Sequence, residues 1–145
     1  MKIIIEQIGQ EEEEQILIRC RSVDDSIVAL AKELEKRRER LTVREGERIM
    51  QVDPSDVYYF EAVDNKVFLY TKEKVYEINR KLYELEEQFG YANYIRVSKS
   101  VILNLSKVES FHPEFNGRFE ALMRNNERVL ISRQYVPELK KKLGI

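Results

Sequence analysis

From Leu41 onward the chain is a succession of short runs of β-forming residues closed by turn residues, and this alternation restricts the fold more than any other feature. RLTVREGERIMQV turns at Glu45-Gly46, Asp53-Pro54-Ser55 breaks the pattern, and VYYFEAV leads through Asp64-Asn65 into KVFLYT, after which KVYEI adds another strand. Asp64 and Asn65 both tolerate positive φ, which suits a tight hairpin turn, and Asn116-Gly117 is the strongest hairpin signal in the chain. It should join the strand ending near Phe111 to RFEALMR at 118–124, with HPEF as part of a longer connection. Asn125-Asn126 then turns into RVLIS, so three consecutive strands should form a meander. The turns are too short for two separable domains, and 145 residues are enough for one domain with a real core. The expected class is α+β, mainly antiparallel β, with short helices.

The clearest helix is Ser22 to Arg38. Ser22 and Asp25 have the spacing of a capping box, and Ile27, Leu30, Ala31 and Leu34 fall on one face that would cover a sheet. Lys36, Arg37, Arg38 and Arg40 crowd its C-terminal end, where cations suit the helix dipole. A short helix is expected over Arg80 to Phe89, capped by Asn79 and stopped by Gly90, with Leu82, Leu85 and Phe89 inward. The last element, Arg133 to Leu143, holds Pro137 too deep for a helix that starts at Ser132. A turn at Arg133–Tyr135 and a regular helix from about Pro137 are expected, with Gly144 as the stop. Upstream, KIIIEQI and QILIRC flank the acidic run Glu11–Glu14 and read as a hairpin, with Cys20 a small buried strand residue. Residues 1–40 thus form a hairpin-and-helix appendage on a β-rich body at 41–145.

Several chemistries have no residues to run them. Cys20 and His112 are the only cysteine and histidine, so there is no internal disulfide, no cysteine cluster for zinc and no histidine-based triad or metal site. Neither a phosphate-cradling glycine loop nor a nucleophile elbow is present. No enzyme activity, metal or cofactor is expected. No apolar run approaches the ~18 residues of a membrane helix, and the N-terminus lacks a signal-peptide pattern. The expectation is a cytoplasmic protein with no membrane insertion of its own.

Charge points instead to binding. From Tyr94 to Ile145 there are ten basic and five acidic side chains, whereas the first 93 residues carry fifteen and twenty-one. The net charge of −1 therefore hides an acidic front and a basic back, a pattern that suits a polyanionic partner or an ordinary solvated surface. Lys and Arg attract phosphates, and Asn, Gln and Arg can pair with base edges in the major groove. Such residues concentrate at interruptions between strands: Asn65-Lys66, Ser98-Lys99, Asn116-Gly117-Arg118 and Arg133-Gln134. Each alone is an ordinary turn residue; their joint occurrence is the informative part. Tyr58, Tyr59, Phe60, Phe68, Tyr70, Phe111, Phe115 and Phe119 could stack bases, but a β core uses the same residues.

FEAVDNKVFLYT at 60–71, RVSKSVILNL at 96–105 and NGRFEALMRNNERVLISRQYVPELK at 116–140 together resemble the LytTR DNA-binding domain of bacterial transcription regulators. The resemblance covers roughly Leu41 to Leu143. It implies a mostly antiparallel β fold that binds double-stranded promoter DNA from one side, placing loops in successive major grooves without a recognition helix. It further implies base-reaching positions at Asp64 to Lys66, at Ser98 and Lys99, and at Arg133 and Gln134. Asn116 and Arg118 come from the turn pattern alone. Lys66 stands where some members carry histidine. Most such regulators carry a phosphoacceptor domain of ~120 residues, longer than the forty before Leu41, so the chain resembles the short stand-alone members. Some of those are restrained by a membrane-protein inhibitor encoded nearby. An apolar patch on the first forty residues would support a homodimer. The other reading is a protein-interaction module whose acidic front and helix carry the function, with only weak, nonspecific DNA binding.

Overall fold

The computed structural model describes residues 1–36, 40–90 and 93–145. After helix α1 (Asp25–Lys36) come strands β1 (Leu41–Glu45), β2 (Arg48–Val52), β3 (Tyr59–Val63), β4 (Lys66–Tyr70) and β5 (Val75–Ile78). Helix α2 (Leu82–Phe89) precedes β6 (Tyr94–Arg96) and β7 (Val101–Asn104), and β8 (Val108–Pro113), β9 (Phe119–Met123), β10 (Arg128–Ile131) and α3 (Val136–Leu143) finish the chain. Seven strands form one sheet in the order β2-β1-β5-β4-β3-β7-β6, and β10-β9-β8 form a second. Every pairing is antiparallel. The expected α+β class and the meander both hold.

The two sheets exist because β3 and β7 present apolar groups on both faces. Phe60 and Ile102 join Leu41, Val43, Leu69, Leu85 and Phe89 in a core closed by α2. Tyr58, Val101 and Leu103 join Ala121, Met123, Val129, Ile131 and Leu139 in a second core between the seven-stranded sheet, the meander and α3. All four residues of β7 are buried, so it shows a continuous apolar run rather than alternation. Asn104 ends it and is the one buried polar side chain among the described residues. Its Nδ2 donates to the Val57 carbonyl at 2.7 Å, and its Oδ1 accepts from the Ser106 amide at 3.1 Å and hydroxyl at 2.7 Å. These bonds turn the chain from the first sheet into the second.

Turn chemistry follows the residue types. Asp64 and Asn65 have φ of 50° and 64°, and Asn116 and Gly117 have 63° and 75°. A 3-10 turn at Arg133–Tyr135 precedes α3, and Gly144 ends it at φ 75°. The aromatic residues divide. Tyr58 and Phe60 are buried, Tyr59, Phe68, Tyr70, Phe111 and Phe119 are half-buried, and Phe115 is exposed.

The N-terminal expectations fail. No hairpin forms. Apart from half-buried Ile18, residues 1–24 are exposed, and a Glu12 amide to Gly9 carbonyl bond of 3.2 Å is the turn found there. Two strands alone cannot cover their apolar face, and no third strand lies alongside. Cys20 is accordingly exposed rather than buried. Helix α1 starts at Asp25, not Ser22, because the Asp24 carboxylate accepts the Ile27 amide at 3.0 Å and the Ser26 hydroxyl at 2.6 Å. Those bonds hold the Asp24 carboxyl below its ordinary pKa. The helix covers no core: Ile27, Ala31 and Leu34 are half-buried and none belongs to either cluster. Arg37 and Arg38 lie outside the described residues. In α2 the cap is not Asn79; the Glu84 carboxylate accepts the Lys81 amide at 3.0 Å.

Asn104→Ala should lower the unfolding free energy by about 1–3 kcal/mol, because it strands buried polar groups at the sheet crossover; urea denaturation measures it. Tyr59 and Tyr70 stack at 4.2 Å, and their hydroxyls donate to Glu127 at 3.0 Å and Glu61 at 2.8 Å. Burial first, and then these carboxylates, push both phenols up, Tyr70 to about 12. A raised folded-state pKa gives stability that is complete below the ordinary value of 10.0 and lost as pH rises through the folded value. The urea midpoint should therefore hold to pH ~10 and then fall more steeply than in a Tyr59→Phe/Tyr70→Phe variant.

Candidate nucleic-acid interface

The four interruptions singled out in the sequence meet along one side of the molecule, where strands of the seven-stranded sheet end, and the register explains why. Glu61 of β3 pairs with both Phe68 of β4 and Val101 of β7. The β3–β4 turn with Asn65 and Lys66 and the β6–β7 loop with Ser98 and Lys99 must then leave the sheet at the same end. The Ala62 amide donates to the Ser100 carbonyl at 2.8 Å and joins them. The Ser132 amide donates to the Val97 carbonyl at 2.9 Å, which brings Arg133 and Gln134 beside that loop. Gly117 approaches Arg133 so closely that an added Cβ would lie 3.2 Å from its Cγ and Cδ. Asn116, Arg118, Leu130, Ser132, Arg133 and Gln134 consequently line one shallow hollow.

All eight singled-out residues thus lie along one edge. Asn65, Lys66, Lys99, Asn116, Arg118, Arg133 and Gln134 are exposed, and Ser98 is half-buried. Ser98 builds its own loop, since its Oγ accepts the Ser100 amide at 3.2 Å. Lys66 lies 3.4 Å from Glu77, but this pair is largely exposed and worth ~0–1 kcal/mol, so a phosphate can displace it. Among the described residues no carboxylate pairs with Lys99, Arg118 or Arg133. Cations held apart from carboxylates in this way suit phosphate neutralisation and pairing with base edges.

Residue patterning missed the groups that hold the loops in place. Arg96 donates through Nε to the Ser98 carbonyl at 2.8 Å and through a terminal nitrogen to the Lys99 carbonyl at 2.5 Å. Its other terminal nitrogen meets Glu86 at 2.8 Å. It is a positioning residue, and as an arginine inside a strand it gave no signal of that. Arg44, Arg80 and Lys81 surround Asn65 and Lys66 in a further hollow; the run Asn79-Arg80-Lys81 was the available signal. No group of three or more His, Cys, Asp or Glu able to hold a metal occurs among the described residues.

The model of the LytTr DNA-binding domain matches residues 47–144. The chain belongs to this family. The LytTr DNA-binding domain of a protein described as a methyl-accepting/DNA response regulator from Bacillus cereus superposes with a TM-score of 0.71 at 28% identity, covering 74% of this chain and 99% of that one. The sensory transduction protein LytT of Bacillus subtilis is 28% identical over 94% of this chain, and that of Enterococcus faecalis is 29% identical over 74%. The chain spans 56% and 44% of those two proteins. No helix among the described residues is long and apolar enough to cross a membrane.

Arg96→Ala should release the β6–β7 loop without unfolding either core. Faster amide hydrogen exchange at 98–100, with unchanged protection in β3 and β7, is the expected outcome.

Proposed function

We propose that the chain is a sequence-specific transcription regulator that reads double-stranded promoter DNA with the loops of this edge. Residues 41–145 form the DNA-binding domain in this reading, and residues 1–40 form an appendage. The observation that carries it is the gathering of Lys66, Lys99, Arg118 and Arg133 on neighbouring turns, with Asn65, Asn116 and Gln134 interspersed. Cations fix the duplex through its phosphates, and side chains that pair with base edges supply sequence preference. Turns projecting from one sheet edge can enter successive major grooves, as β elements do elsewhere.

A second reading has one observation in its favour. Ile3, Ile4, Ile5, Ile16 and Leu17 are exposed beside the acidic run, which suits a protein partner. A second copy of the chain and a membrane-protein inhibitor are both compatible with that surface. Removal of residues 1–24 separates the two readings: a DNA reader keeps its duplex preference, while an interaction module loses its partner.

The test is selection by the full chain from a randomised duplex pool, followed by fluorescence-anisotropy titration at two salt concentrations. A consensus duplex should emerge and keep its preference at higher salt. Lys99→Ala and Arg133→Ala should each lose about 1–3 kcal/mol of discrimination at particular base pairs. Equal, salt-sensitive binding to every duplex would overturn the reading.

A further inference from the structure

The most exposed large apolar side chain on this edge, ahead of Leu130 at 49%, is used by neither core. Phe115 is 88% exposed and is the first residue of the 3-10 turn Phe115–Gly117 at the tip of the β8–β9 hairpin. The turn itself is accounted for without the ring. Asn116 and Gly117 supply the positive φ values of 63° and 75°. The Glu114 amide donates to the Arg118 carbonyl at 2.8 Å, and the Arg118 amide donates to the Phe115 carbonyl at 3.4 Å. A polar residue at 115 would serve the same backbone and avoid exposing an aromatic ring to water. The fold therefore gives no reason for phenylalanine here.

Position gives a reason. Gly117 packs on the Arg133 stem, so the ring is held two residues from a contact with the arginine assigned above to the major groove. Its neighbours in the chain are Glu114 and Asn116, and Arg118 and Gln134 lie around the same hollow. In a major groove lined by hydrogen-bonding edges, the apolar feature is the C5-methyl of thymine. Because the turn is closed by its own backbone bonds, little ordering entropy remains to be lost on contact.

We propose that Phe115 packs against the C5-methyl of a thymine beside the base read by Arg133, which makes the chain selective for thymine at that position. The proposal rests on the DNA-reading function above and names one determinant of its sequence preference. Intercalation of the ring as a wedge in a minor groove is a different mode, and the experiment distinguishes it.

The experiment uses the full chain and the duplex it selects from the randomised pool. Each thymine is replaced singly by uracil, which removes the methyl and leaves the pairing edge intact. The wild-type chain should lose about fourfold in affinity at one position, the effect of withdrawing one methyl group from an apolar contact. Phe115→Ala should bind the thymine duplex at least as weakly and lose nothing further on uracil substitution there. Lys99→Ala should retain the full uracil effect. Phe115→Ala should also keep the wild-type thermal midpoint, since the ring lies outside both cores. The proposal is overturned if Phe115→Ala binds like wild type, or if it binds weakly yet keeps the full uracil effect. The second result accompanied by reduced bending of circularly permuted fragments would assign the wedge instead. A selected consensus with Arg133 sensitivity but no uracil-sensitive position would remove this inference alone. Failure to select any consensus would remove the DNA-reading function with it.

Discussion

Burial of β7 on both faces is the constraint on which the rest depends. Val101, Ile102, Leu103 and Asn104 are all enclosed, so the strand needs a layer on each side. Helix α2 supplies one and the meander with α3 supplies the other. A strand so placed cannot end in an unsatisfied turn. Asn104 resolves this by bonding the Val57 carbonyl and the Ser106 amide and hydroxyl. A buried amide with its partners in place specifies one crossover geometry, whereas an apolar residue there would leave the direction of the chain to packing alone.

The same strand sets the interface. Its start pairs with Glu61 in the middle of β3 and the Ala62 amide bonds the Ser100 carbonyl, so the turns at 64–65 and 98–100 share an edge, and the Val97 carbonyl captures Ser132 and the residues behind it. Three loops distant in sequence become neighbours through backbone bonds of the sheet. Rigid turns suit recognition because a side chain on a fixed backbone has less freedom to lose on binding. The cations along the edge have separate tasks. Arg96 is committed to the Ser98 and Lys99 carbonyls and to Glu86, and it shapes the loop. Lys99, Arg118 and Arg133 are exposed and pair with no carboxylate among the described residues.

Local signals were legible in the tight turns and around α3, but not at the starts of α1 and α2, where Asp24 and Glu84 accept amide hydrogen bonds in place of the expected Ser22 and Asn79. Asp64-Asn65, Asn116-Gly117, the 3-10 turn before α3 and the Gly144 stop all form where residue type required them. The continuous apolar run of β7 was visible, but its two covering layers were not, since they are made by residues far away in the chain. The alternation of Ile16, Ile18 and Cys20 misled for the complementary reason: a period of two marks a strand only if another strand is there to pair with it. For the candidate interface, turn chemistry together with the family resemblance singled out eight residues that the fold brings to one side. Their convergence depends on the β3–β7 register and the Val97–Ser132 bond, and neither is written in a local pattern. Arg96 was invisible because a brace is defined by the carbonyls it reaches.

The register also locates the N-terminal region relative to the edge. Tyr94 pairs with Asn104 at the end of β6–β7 opposite to Arg96 and the Ser98 loop. The Lys142 ammonium donates to the Tyr94 carbonyl at 3.1 Å, and Glu33 of α1 is near enough to counter the burial that lowers the Lys142 pKa. The charge of Glu33 is therefore felt at the end of β6 that lies three strand residues, ~10 Å, from the Ser98 loop.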